Sequence, residues 1–535
     1  MNRARALALG LLLPFLLAST PEVSLRHPSL VVIVAVDGLS WDRLHAWRAA
    51  FDSGFATLLK EGHVATQARY AHLNTETCPG HAALSTGASP RMTGIVGNRW
   101  VEQGKRVPCV QDIGPGGDER AGPGKLAVDG LGDVLGPGAR VVSISGKDRA
   151  AIMLSGRGRE HAVFWYDSGA NRFTTSAAYD AKVPAVAAVQ AIVDRMGPPK
   201  NLGAWNRLPG SPKVAVVPRE RLRRAQVPSA GPEFPHRSAD LFDTPFLDTA
   251  IADLALRVLD DPALKLGRSG GTDLLALSFS ASDIAAHDYG DGSEEQLEVL
   301  RRLDRQLGRV LDALRRRTPG SVLLALSADH GFLAADGPAP RRLQLDGSGL
   351  TALNAALSTR LCLPPDAKPV LGMTTWHLYF DPLLRGRKTG PACGPQRDVE
   401  AALRKEVPQA FQAVFPGAVA AVVDPSSTPP VALASFVANS RFPGRSGDLL
   451  VFPEPGVMSG GNADRGWGHG TQFAYDTHVP LIFWGGAVPA GCSEVPSAPY
   501  DLAPTLADYA GVKLPKATGT SLRAEIARGA GRTCR

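Results

Sequence analysis

The sequence lacks several features that would assign it to common functional classes. Its six cysteines form no Cys-x-x-Cys pair, which excludes a thioredoxin-type motif and a cysteine-based zinc knuckle. It has no basic stripe with interleaved aromatic residues, so nucleic-acid binding gains no support. After the first twenty residues, no segment approaches the ~18 uninterrupted apolar residues that a membrane span needs. The composition is that of a globular protein, with 44% hydrophobic and 20% charged residues among 535.

The amino terminus has a pattern that the rest of the chain does not share. Arg3 and Arg5 precede an apolar run over residues 6–18, and small residues follow it. This layout is typical of a secretory signal peptide, because the run is short for a span and Pro14 interrupts it. The alternative is an uncleaved anchor. We therefore predict a signal peptide over residues 1–20 and a periplasmic or secreted protein with no stable membrane span after its removal.

The six cysteines of an exported chain can form disulfides. Nearness in sequence favours the pairs Cys362–Cys393 and Cys492–Cys534. Cys78 and Cys109 are then left over, and they are either bridged to each other or free.

Several short apolar runs lack the alternation of half-exposed strands, which is typical of strands buried in a parallel sheet. Helical patterns lie between these runs. The clearest covers residues 293–317, which open with the capping box SEEQ and place leucines on one face. Alternating strands and helices predict an α/β fold, with a mostly parallel sheet flanked by helices on both faces. The predicted strands are residues 30–36, 140–145, 273–279, 321–327 and 479–484.

Two segments, residues 150–265 and 332–465, break this rhythm. They contain many prolines and glycines and show no regular period. We expect them to be insertions that form a cap over the sheet, and not separate domains. The prediction is therefore a single domain over residues 28–530.

Acidic residues and histidines follow the predicted strands at the points where the strands end. They are Asp37, Asp283, His287, Asp329 and His330, and His469 precedes the last strand. Ligands of open α/β sheets bind beyond the carboxyl ends of the strands, so we expect these side chains at one edge. One helical turn would also place Asp283 and His287 on the same face of a helix.

Three carboxylates and three imidazoles are a suitable ligand set for zinc, which binds oxygen and nitrogen. One Zn²⁺ cannot use six ligands, whereas two ions can take three each and keep an open position. Two metals about 3.5–4 Å apart are the arrangement for displacement at phosphorus. Taken singly, each motif has a plain alternative, since an Asp-Gly after a strand is usually a turn. All of them at successive strand ends are a much less frequent coincidence.

The stretch NTETCPGHAALSTG, residues 74–87, holds five potential nucleophiles. Pro79 and Gly87 predict a short helix between them. Thr77 lies just ahead of that helix, whose free N–H groups form an anion site. A hydroxyl there would lose its proton near neutral pH if a metal bound it. The other four, which have no such activator, are Thr75, Cys78, Ser85 and Thr86.

The residues from Thr75 onwards, TETCPGHAALSTGASPRMTGIVGNRW, resemble the nucleophile motif of the alkaline phosphatase superfamily, in its phosphodiesterase and PafA-type branches. The motifs VDG, DxxxH, DHG and GHG…THVPLIFWG match in order. The carboxyl-terminal stretch YDLAPTLADYAGVKLPKATGTSL is also similar, so the motifs span residues 30–522. One departure is Thr93, which stands where the family has a histidine, and it touches no metal ligand.

The resemblance implies two zinc ions as cofactors. One would be held by Asp283, His287 and His469. The other would be held by Asp37, Asp329, His330 and the Thr77 oxygen. Asn98 would donate a hydrogen bond to a phosphoryl oxygen. The choice of zinc over manganese rests on ligand chemistry and on the resemblance.

Lys147 and Arg149, in the stretch SISGKDRA, favour one branch of the superfamily. An extended backbone would point both cations to one side. A phosphate monoester presents a dianion with three non-bridging oxygens, so cations aimed at these oxygens favour monoesters over diesters. The pair resembles the cations that clamp the phosphoryl group in PafA-type alkaline phosphatases. The alternative is a solvated loop.

Three further residues receive supporting roles. His81, inside the short helix, is expected to pack or to support a metal ligand. His478 is expected to orient a metal ligand by a hydrogen bond without binding the metal itself. Trp100 is expected in the core, with a wall of the leaving-group pocket as the alternative.

The sequence therefore predicts an exported two-zinc alkaline phosphatase that hydrolyses small phosphate monoesters through a phosphothreonine on Thr77. The predicted catalytic residues are Thr77, Asn98, Lys147 and Arg149. One alternative is a phosphodiesterase or nucleotide pyrophosphatase of the same superfamily. Another, from a different class, is a catalytically inactive binding protein on this scaffold. The natural substrate, and the choice between a monomer and a homodimer, stay open.

Overall fold

The computed structural model describes residues 27–199, 203–210, 214–223, 234–238, 240–317, 321–364, 366–460 and 466–534. The predicted signal peptide, residues 1–20, lies outside the described residues. None of the helices within these ranges is long and apolar enough to cross a membrane.

A strand is present at each of the five apolar runs for which the sequence predicts one. In chain order the strands are β1 (Leu30–Val36), β2 (His63–Ala65), β3 (Arg99–Glu102), β4 (Lys105–Pro108), β5 (Gln111–Ile113), β6 (Glu119–Ala121), β7 (Val141–Ser145), β8 (Ala162–Asp167), β9 (Arg172–Thr174), β10 (Asp273–Phe279), β11 (Val322–Ser327), β12 (Arg341–Leu343), β13 (Val370–Thr374), β14 (His377–Phe380), β15 (Val419–Val423), β16 (Leu449–Pro453), β17 (Val457–Ser459), β18 (Leu481–Gly485) and β19 (Gly491–Ser493).

The helices alternate with the strands of the main sheet over much of the chain. In chain order they are α1 (Trp41–Ala46), α2 (Gly54–Glu61), α3 (Thr77–Thr86), α4 (Pro90–Thr93), α5 (Leu131–Val134), α6 (Asp148–Ser155), α7 (Pro184–Met196), α8 (Arg219–Arg223), α9 (Phe246–Asp260), α10 (Ala281–Tyr289), α11 (Glu294–Arg315), α12 (Gly347–Leu361), α13 (Val399–Val414), α14 (Ala434–Ser440), α15 (Ala474–Thr477), α16 (Leu502–Ala510) and α17 (Arg523–Arg528).

The main sheet has the strand order β19-β2-β18-β11-β1-β10-β7-β8-β9. Its central strand β1 is fully buried and pairs in parallel with β10 on one side and β11 on the other. Val31 and Ile33 pack against helices α3 and α16, whereas Val32 and Val34 pack against α9 and α11. Each such buried aliphatic side chain contributes about 1.5–3 kcal/mol. The predicted α/β fold, with helices on both faces of the sheet, is confirmed.

Strand β18 runs antiparallel to β11, so the prediction that every apolar run is a parallel strand is wrong for this one. The chain enters β18 from the carboxyl edge of β11, where Ser327 donates a hydrogen bond to the Pro480 carbonyl at 2.7 Å. A parallel strand needs a crossover back to the opposite edge, and the short helix α15 just before β18 provides none.

Helix α11 begins and ends within two residues of the prediction. The Ser293 hydroxyl accepts a hydrogen bond from the Gln296 backbone N–H, as a capping residue does. The Gln296 side chain accepts from the N–H of Gly292, one residue before the donor that a capping box would use. The start of α11 is therefore capped from both directions.

The two segments expected to form a cap differ from each other. Residues 332–460 contain a second, antiparallel sheet of order β13-β14-β16-β15, which packs with α12 and α13 around its own apolar core. In the described part of residues 150–265, β8 and β9 extend the main sheet and α9 packs on it. The apolar start of β8, Ala162 to Phe164, explains why this part joins the sheet.

Three disulfides join the six cysteines. The predicted pairs Cys362–Cys393 and Cys492–Cys534 are confirmed, and Cys78 is bridged to Cys109. The last bridge ties the first turn of α3 to the end of the β3–β4 hairpin. Bridges of this number are typical of proteins from non-cytoplasmic, oxidising compartments.

Candidate active site

Three buried side chains meet where β1 and β11 end, and we call them the inner group: Asp37, Asp329 and His330. The two strands are parallel neighbours, so their carboxyl ends lie side by side. His330 Nε2 is 3.5 Å from Asp37 Oδ1 and 3.4 Å from Asp329 Oδ2. All three side chains are 0% exposed.

A second set lies next to the inner group, and we call it the outer group: Asp283, His287 and His469. Asp283 and His287 stand one turn apart on α10, as the spacing predicts, and His469 lies in the loop before α15. Asp283 Oδ1 is 3.4 Å from His287 Nε2 and 3.6 Å from His469 Nε2. The side chain of His287 is 20% exposed and that of His469 10%, so solvent reaches this group.

Two glycines allow the site to be this compact. Gly38 has a φ of +74°, which favours glycine, and a Cβ there would stand 3.0 Å from the Asp283 Cα. Its N–H donates to Asp329 Oδ1 at 3.1 Å. A Cβ at Gly80 would collide with the Asp329 carbonyl, so α3 packs directly against the inner group. The VDG motif and the helix of the nucleophile stretch are thus both shaped by this site.

The three imidazoles are held in one orientation by backbone carbonyls. Each Nδ1 donates a hydrogen bond at 2.8 Å, His287 to Trp467, His330 to Gly331 and His469 to Thr75. The Nε2 lone pair of each ring therefore faces its group, as in metal-binding histidines. The rings of His330 and His469 stack with centroids 3.6 Å apart, which places the inner and outer groups in contact.

Each group fits a metal ion. Asp37 Oδ1, Asp329 Oδ2, His330 Nε2 and Asp283 Oδ1 are buried and have no hydrogen-bond partner among the described residues. Such acceptors are costly to bury unless a cation or a donor satisfies them. The ligand atoms of each group all lie within 4.8 Å of one another. Oxygen and nitrogen donors at this spacing are suited to a divalent transition metal.

Lys147 joins the two groups electrostatically. Its Nζ lies 2.6 Å from Asp37 Oδ2 and 2.6 Å from Asp283 Oδ2. Burial acts to lower the pKa of Lys147, but Asp283 and Asp37 hold it above its ordinary value. Burial and the neighbouring Asp329 raise the pKa of Asp37. Burial also acts to raise the pKa of Asp283, but Lys147 together with His287, His469 and His330 lowers it. One ammonium therefore offsets charge in both groups.

The buried histidines keep the form that binds metals. Burial lowers the pKa of His469 to about 4, and it also lowers the pKa of His330. Both imidazoles are therefore neutral at neutral pH, with a lone pair on Nε2.

Thr77 is the first residue of α3 and is 1% exposed. The helix thus begins two residues before Pro79, although the sequence predicts that Thr77 precedes it. Proline is tolerated there because the N–H groups of the first turn have no acceptor within the helix. His81 donates from Nδ1 to the Thr77 carbonyl at 2.8 Å, and the same atom is 3.2 Å from Asp329 Oδ2. His81 thereby supports both the helix start and the inner group.

Asn98 is fixed beside Thr77 by two hydrogen bonds. Its side-chain oxygen accepts from the Cys78 N–H at 2.8 Å, which leaves the side-chain NH₂ as the remaining donor. Its backbone N–H donates to Glu76 Oε2 at 2.8 Å. Glu76 was not identified from the sequence. The available signal was its position directly before Thr77, where it precedes the first residue of α3.

One cavity of about 690 Å³ brings most of these residues together. Its wall includes Thr77, Asn98, Lys147, Arg149 and the three residues of the outer group. The prediction of an extended backbone through Lys147 and Arg149 is wrong, because α6 begins at Asp148 and Arg149 lies in its first turn. Both cations nevertheless line the same cavity.

The structure contradicts the predicted role of His478 and agrees with that of Trp100. His478 does not touch either group, since its Nε2 donates to the Thr66 carbonyl at 2.8 Å and its Nδ1 lies 3.4 Å from Asp42. Its expected role in orienting a ligand is therefore wrong. Trp100 is 0% exposed and packs around the Cys78–Cys109 bridge, in the core as expected.

Known proteins share this fold over almost the whole chain. The sequence profile of the family described as type I phosphodiesterase / nucleotide pyrophosphatase matches residues 31–473. The chain is 29% identical to alkaline phosphatase PhoK of Sphingomonas sp, over 92% of this chain and 90% of that protein. It is 25% identical to alkaline phosphatase PafA of Elizabethkingia meningoseptica, over 94% of this chain and 95% of that protein.

A solved structure extends the comparison to the fold. The crystal structure of wild-type alkaline phosphatase PafA superposes with a TM-score of 0.70 at 25% identity, over 94% of this chain and 99% of that chain. The chain belongs to the type I phosphodiesterase / nucleotide pyrophosphatase family and is a PafA-like phosphoesterase of the alkaline phosphatase superfamily.

Proposed function

We propose that the protein is an exported phosphomonoesterase that uses two zinc ions and forms a phosphothreonine on Thr77. One observation carries the proposal. The Thr77 hydroxyl, at the start of a helix, lines the same cavity as the outer group, and Lys147 in that wall pairs with one carboxylate of the outer group and one of the inner group. Asp37, Asp329 and His330 would hold one ion together with the Thr77 oxygen, and Asp283, His287 and His469 the other.

The chemistry divides into two displacements at phosphorus. In the first, Thr77 Oγ forms a bond to phosphorus while the bond to the leaving-group oxygen breaks, and that oxygen takes up a proton as an alcohol. In the second, water attacks the phosphothreonine, and inorganic phosphate and the Thr77 hydroxyl are released. When bound, the zinc ions supply positive charge to the oxygens and lower the pKa of hydroxyl and water.

The residues that hold the phosphoryl oxygens favour a monoester. Asn98 offers its side-chain NH₂, Lys147 a compact charge and Arg149 a guanidinium fork. Electrostatic stabilisation dominates phosphoryl transfer, and a monoester dianion has one more charged oxygen for these groups than a diester. Lys147 lies between the inner and outer groups, where a phosphoryl group has to be for both to reach it.

Export of a single catalytic domain over residues 28–530 is part of the proposal. Three disulfides support a non-cytoplasmic location, and the pattern of the first twenty residues supports a signal peptide. The second sheet supports the cap in residues 332–465, and for residues 150–265 a cap stays a prediction from the sequence.

Trapping of the intermediate tests the nucleophile. We expect mass spectrometry of enzyme quenched in acid during turnover to find phosphate on Thr77. Thr77→Ala should lose the phosphopeptide and the activity, whereas Thr77→Ser, which keeps a hydroxyl, should retain both in part. Full activity of Thr77→Ala would refute the role of Thr77.

A phosphodiesterase is the second candidate, and one observation favours it. The Lys147 ammonium is already paired with Asp37 and Asp283. Arg149 is then the cation that remains for the additional charged oxygen of a monoester, which weakens the preference for a monoester. Rates on p-nitrophenyl phosphate and on its bis-ester separate the two candidates. We expect the monoester to be faster, and Lys147→Ala/Arg149→Ala to lower monoester turnover far more than diester turnover. Equal losses on both substrates would favour the diesterase.

A further inference from the structure

Besides the residues that would hold the phosphoryl oxygens, the wall of the same cavity carries three more arginines. They are Arg99 on β3, Arg106 on β4 and Arg342 on β12. Arg99 and Arg106 are exposed and Arg342 is half-buried. None of the three has a role in the proposed displacement, so their presence in this wall needs another explanation.

The β3–β4 hairpin places two of these arginines on one face. Arg99 is paired with Pro108, and Arg106, two residues before Pro108, therefore points to the same side. Trp100 and Val107, paired with each other, take the opposite face and are 0% and 7% exposed. Burial of that face in the core holds the arginine face toward the cavity. The hairpin begins directly after Asn98.

The other arginine comes from a different part of the chain, so the cluster does not arise from local sequence. Arg342 lies on β12, which pairs with β17, and Ser459 at the end of β17 lines the same cavity. Arg106 reaches across to the second sheet, where its Nη2 is 3.7 Å from the position that a Cβ would take at Gly372. The hairpin and the β12–β17 strand pair thus bring three guanidinium groups to one cavity.

These arginines are free to bind an anion. Within the described ranges, no ion pair joins Arg99, Arg106 or Arg342 to a carboxylate. Arg43, by contrast, has a nitrogen 2.7 Å from a carboxylate oxygen of Asp291, and Arg404 has one 2.8 Å from Glu400. Burial lowers the pKa of Arg342 from its ordinary value, but a guanidinium stays charged at neutral pH. An unpaired, partly desolvated guanidinium favours an anionic ligand.

The carboxylates of the same wall are fewer than its cations. Glu76 accepts the Asn98 N–H at 2.8 Å, and Asp148 accepts the Arg149 N–H at 2.6 Å. Outside the outer group, Asp346 is the other carboxylate among the described lining residues. Lys147 pairs with Asp283 and Arg149 with Asp148, so Arg99, Arg106 and Arg342 face Glu76 and Asp346, an excess of one positive charge among the described lining residues.

We propose that Arg99, Arg106 and Arg342 bind a second phosphate group on the leaving group, so that the preferred substrates are monoesters of alcohols that already carry another phosphate. This inference rests on the proposed function, because it assigns the leaving-group side of the same site. Guanidinium forks match phosphate oxygens in pairs, and two or more forks can grip one dianion.

A matched pair of substrates tests the subsite. Butane-1,4-diyl bisphosphate and 4-hydroxybutyl phosphate have the same reacting end and differ in the far end alone. We expect kcat/KM to be higher for the bisphosphate by about tenfold, the scale of one charge-assisted contact. The advantage should shrink at high ionic strength, because the far phosphate is held by exposed charges.

Variants locate the effect. Arg106→Gln and Arg342→Gln should each reduce the bisphosphate advantage several-fold. Arg91→Gln is the control, because it removes one charge from an exposed position of α4 that does not line the cavity. It should leave the advantage unchanged, which separates a local subsite from the field of the whole molecule.

The outcomes distinguish the two proposals. The bisphosphate has two equivalent reacting ends and the monophosphate has one. If the ratio of their kcat/KM values reflects this number of ends alone, the subsite is overturned and the proposed function is not. An advantage that survives both arginine variants or that falls equally in Arg91→Gln also overturns the subsite alone. Turnover of neither substrate overturns the proposed function and the subsite together.

Discussion

The inner and outer groups contain the same residue types but are built differently. The inner group has two carboxylates and one imidazole, all at the ends of adjacent strands and all fully buried. The outer group has one carboxylate and two imidazoles, and it is carried by a helix and a loop that solvent reaches. The inner group is therefore closed and has more carboxylates, whereas the outer group is open and has more imidazoles.

This difference assigns separate tasks under the proposed function. The inner group lies against α3, so its task is to hold and activate Thr77 in a fixed position. The outer group faces the side from which the leaving group departs and water enters, where exposure is an advantage. The predictions below test that division, beginning with the largest expected effect.

Substitution of Asp329 should be the most damaging single change in the inner group. In Asp329→Asn, the amide oxygen can still accept from Gly38 and His330 N–H groups, but the charge that a metal needs is lost. We expect kcat/KM on p-nitrophenyl phosphate to fall by about 10⁴-fold. Metal analysis should show the loss of one zinc per chain. A variant that keeps both metals and its activity would contradict the role of the inner group.

Chemical rescue separates the open group from the closed one. We expect His287→Ala to lower kcat/KM by about 10²-fold, the scale of one stabilising contact. Added imidazole should restore part of this loss, because the His287 side chain is 20% exposed and its cavity opens to solvent. His330→Ala is the matched control, since the fully buried site should exclude imidazole. Rescue of both variants to the same extent would remove the distinction.

Loss of a supporting contact should have a smaller effect, confined to the outer group. The Thr75 hydroxyl donates to the Thr471 carbonyl at 3.0 Å, and the Thr75 carbonyl accepts from His469. Thr75→Val keeps the shape and removes the first bond. We expect about tenfold weaker binding of one zinc, measured by competition with a chelator. Tyr70→Phe, which removes the bond to the Ala328 carbonyl beside the inner group, should spare that zinc.

The smallest effect is expected on mild acidification. Because burial lowers the pKa of His469 to about 4, the imidazole stays neutral below the ordinary histidine value of 6.5 and protons do not compete with metal there. Bound zinc should therefore change little between about pH 7 and about pH 5. Release of zinc with a midpoint near the ordinary histidine pKa would show that His469 is more solvated than the structure indicates.

The residues of the inner and outer groups could be predicted because their signal is local. Each follows or precedes an apolar strand, and parallel strands bring their ends to one edge whatever the connections are. The proximity of Asp283 and His287 could be predicted from the period of a helix, because they are four residues apart on α10. The direction of β18 could not be predicted in this way, since an apolar run shows that a strand is buried but not which way it runs.

Other features depend on contacts that no short stretch encodes. The second sheet forms from irregular segments rich in proline and glycine, and its strands pair across long distances in sequence. Lys147 meets Asp37 and Asp283 through three separate strand ends. His478 was misassigned because a histidine near the last strand has the same sequence signature whether it faces the site or, as here, Thr66.

The Cys78–Cys109 bridge closes a covalent ring that begins one residue after Thr77. Asn98, Arg99 and Arg106 all lie inside this ring. Both of its ends are fixed beside the first turn of α3, so the β3–β4 hairpin is tied covalently to the residue next to Thr77. Under the two proposals, one covalent ring therefore carries Asn98 for the transferred phosphoryl group and Arg99 and Arg106 for the far phosphate of the leaving group.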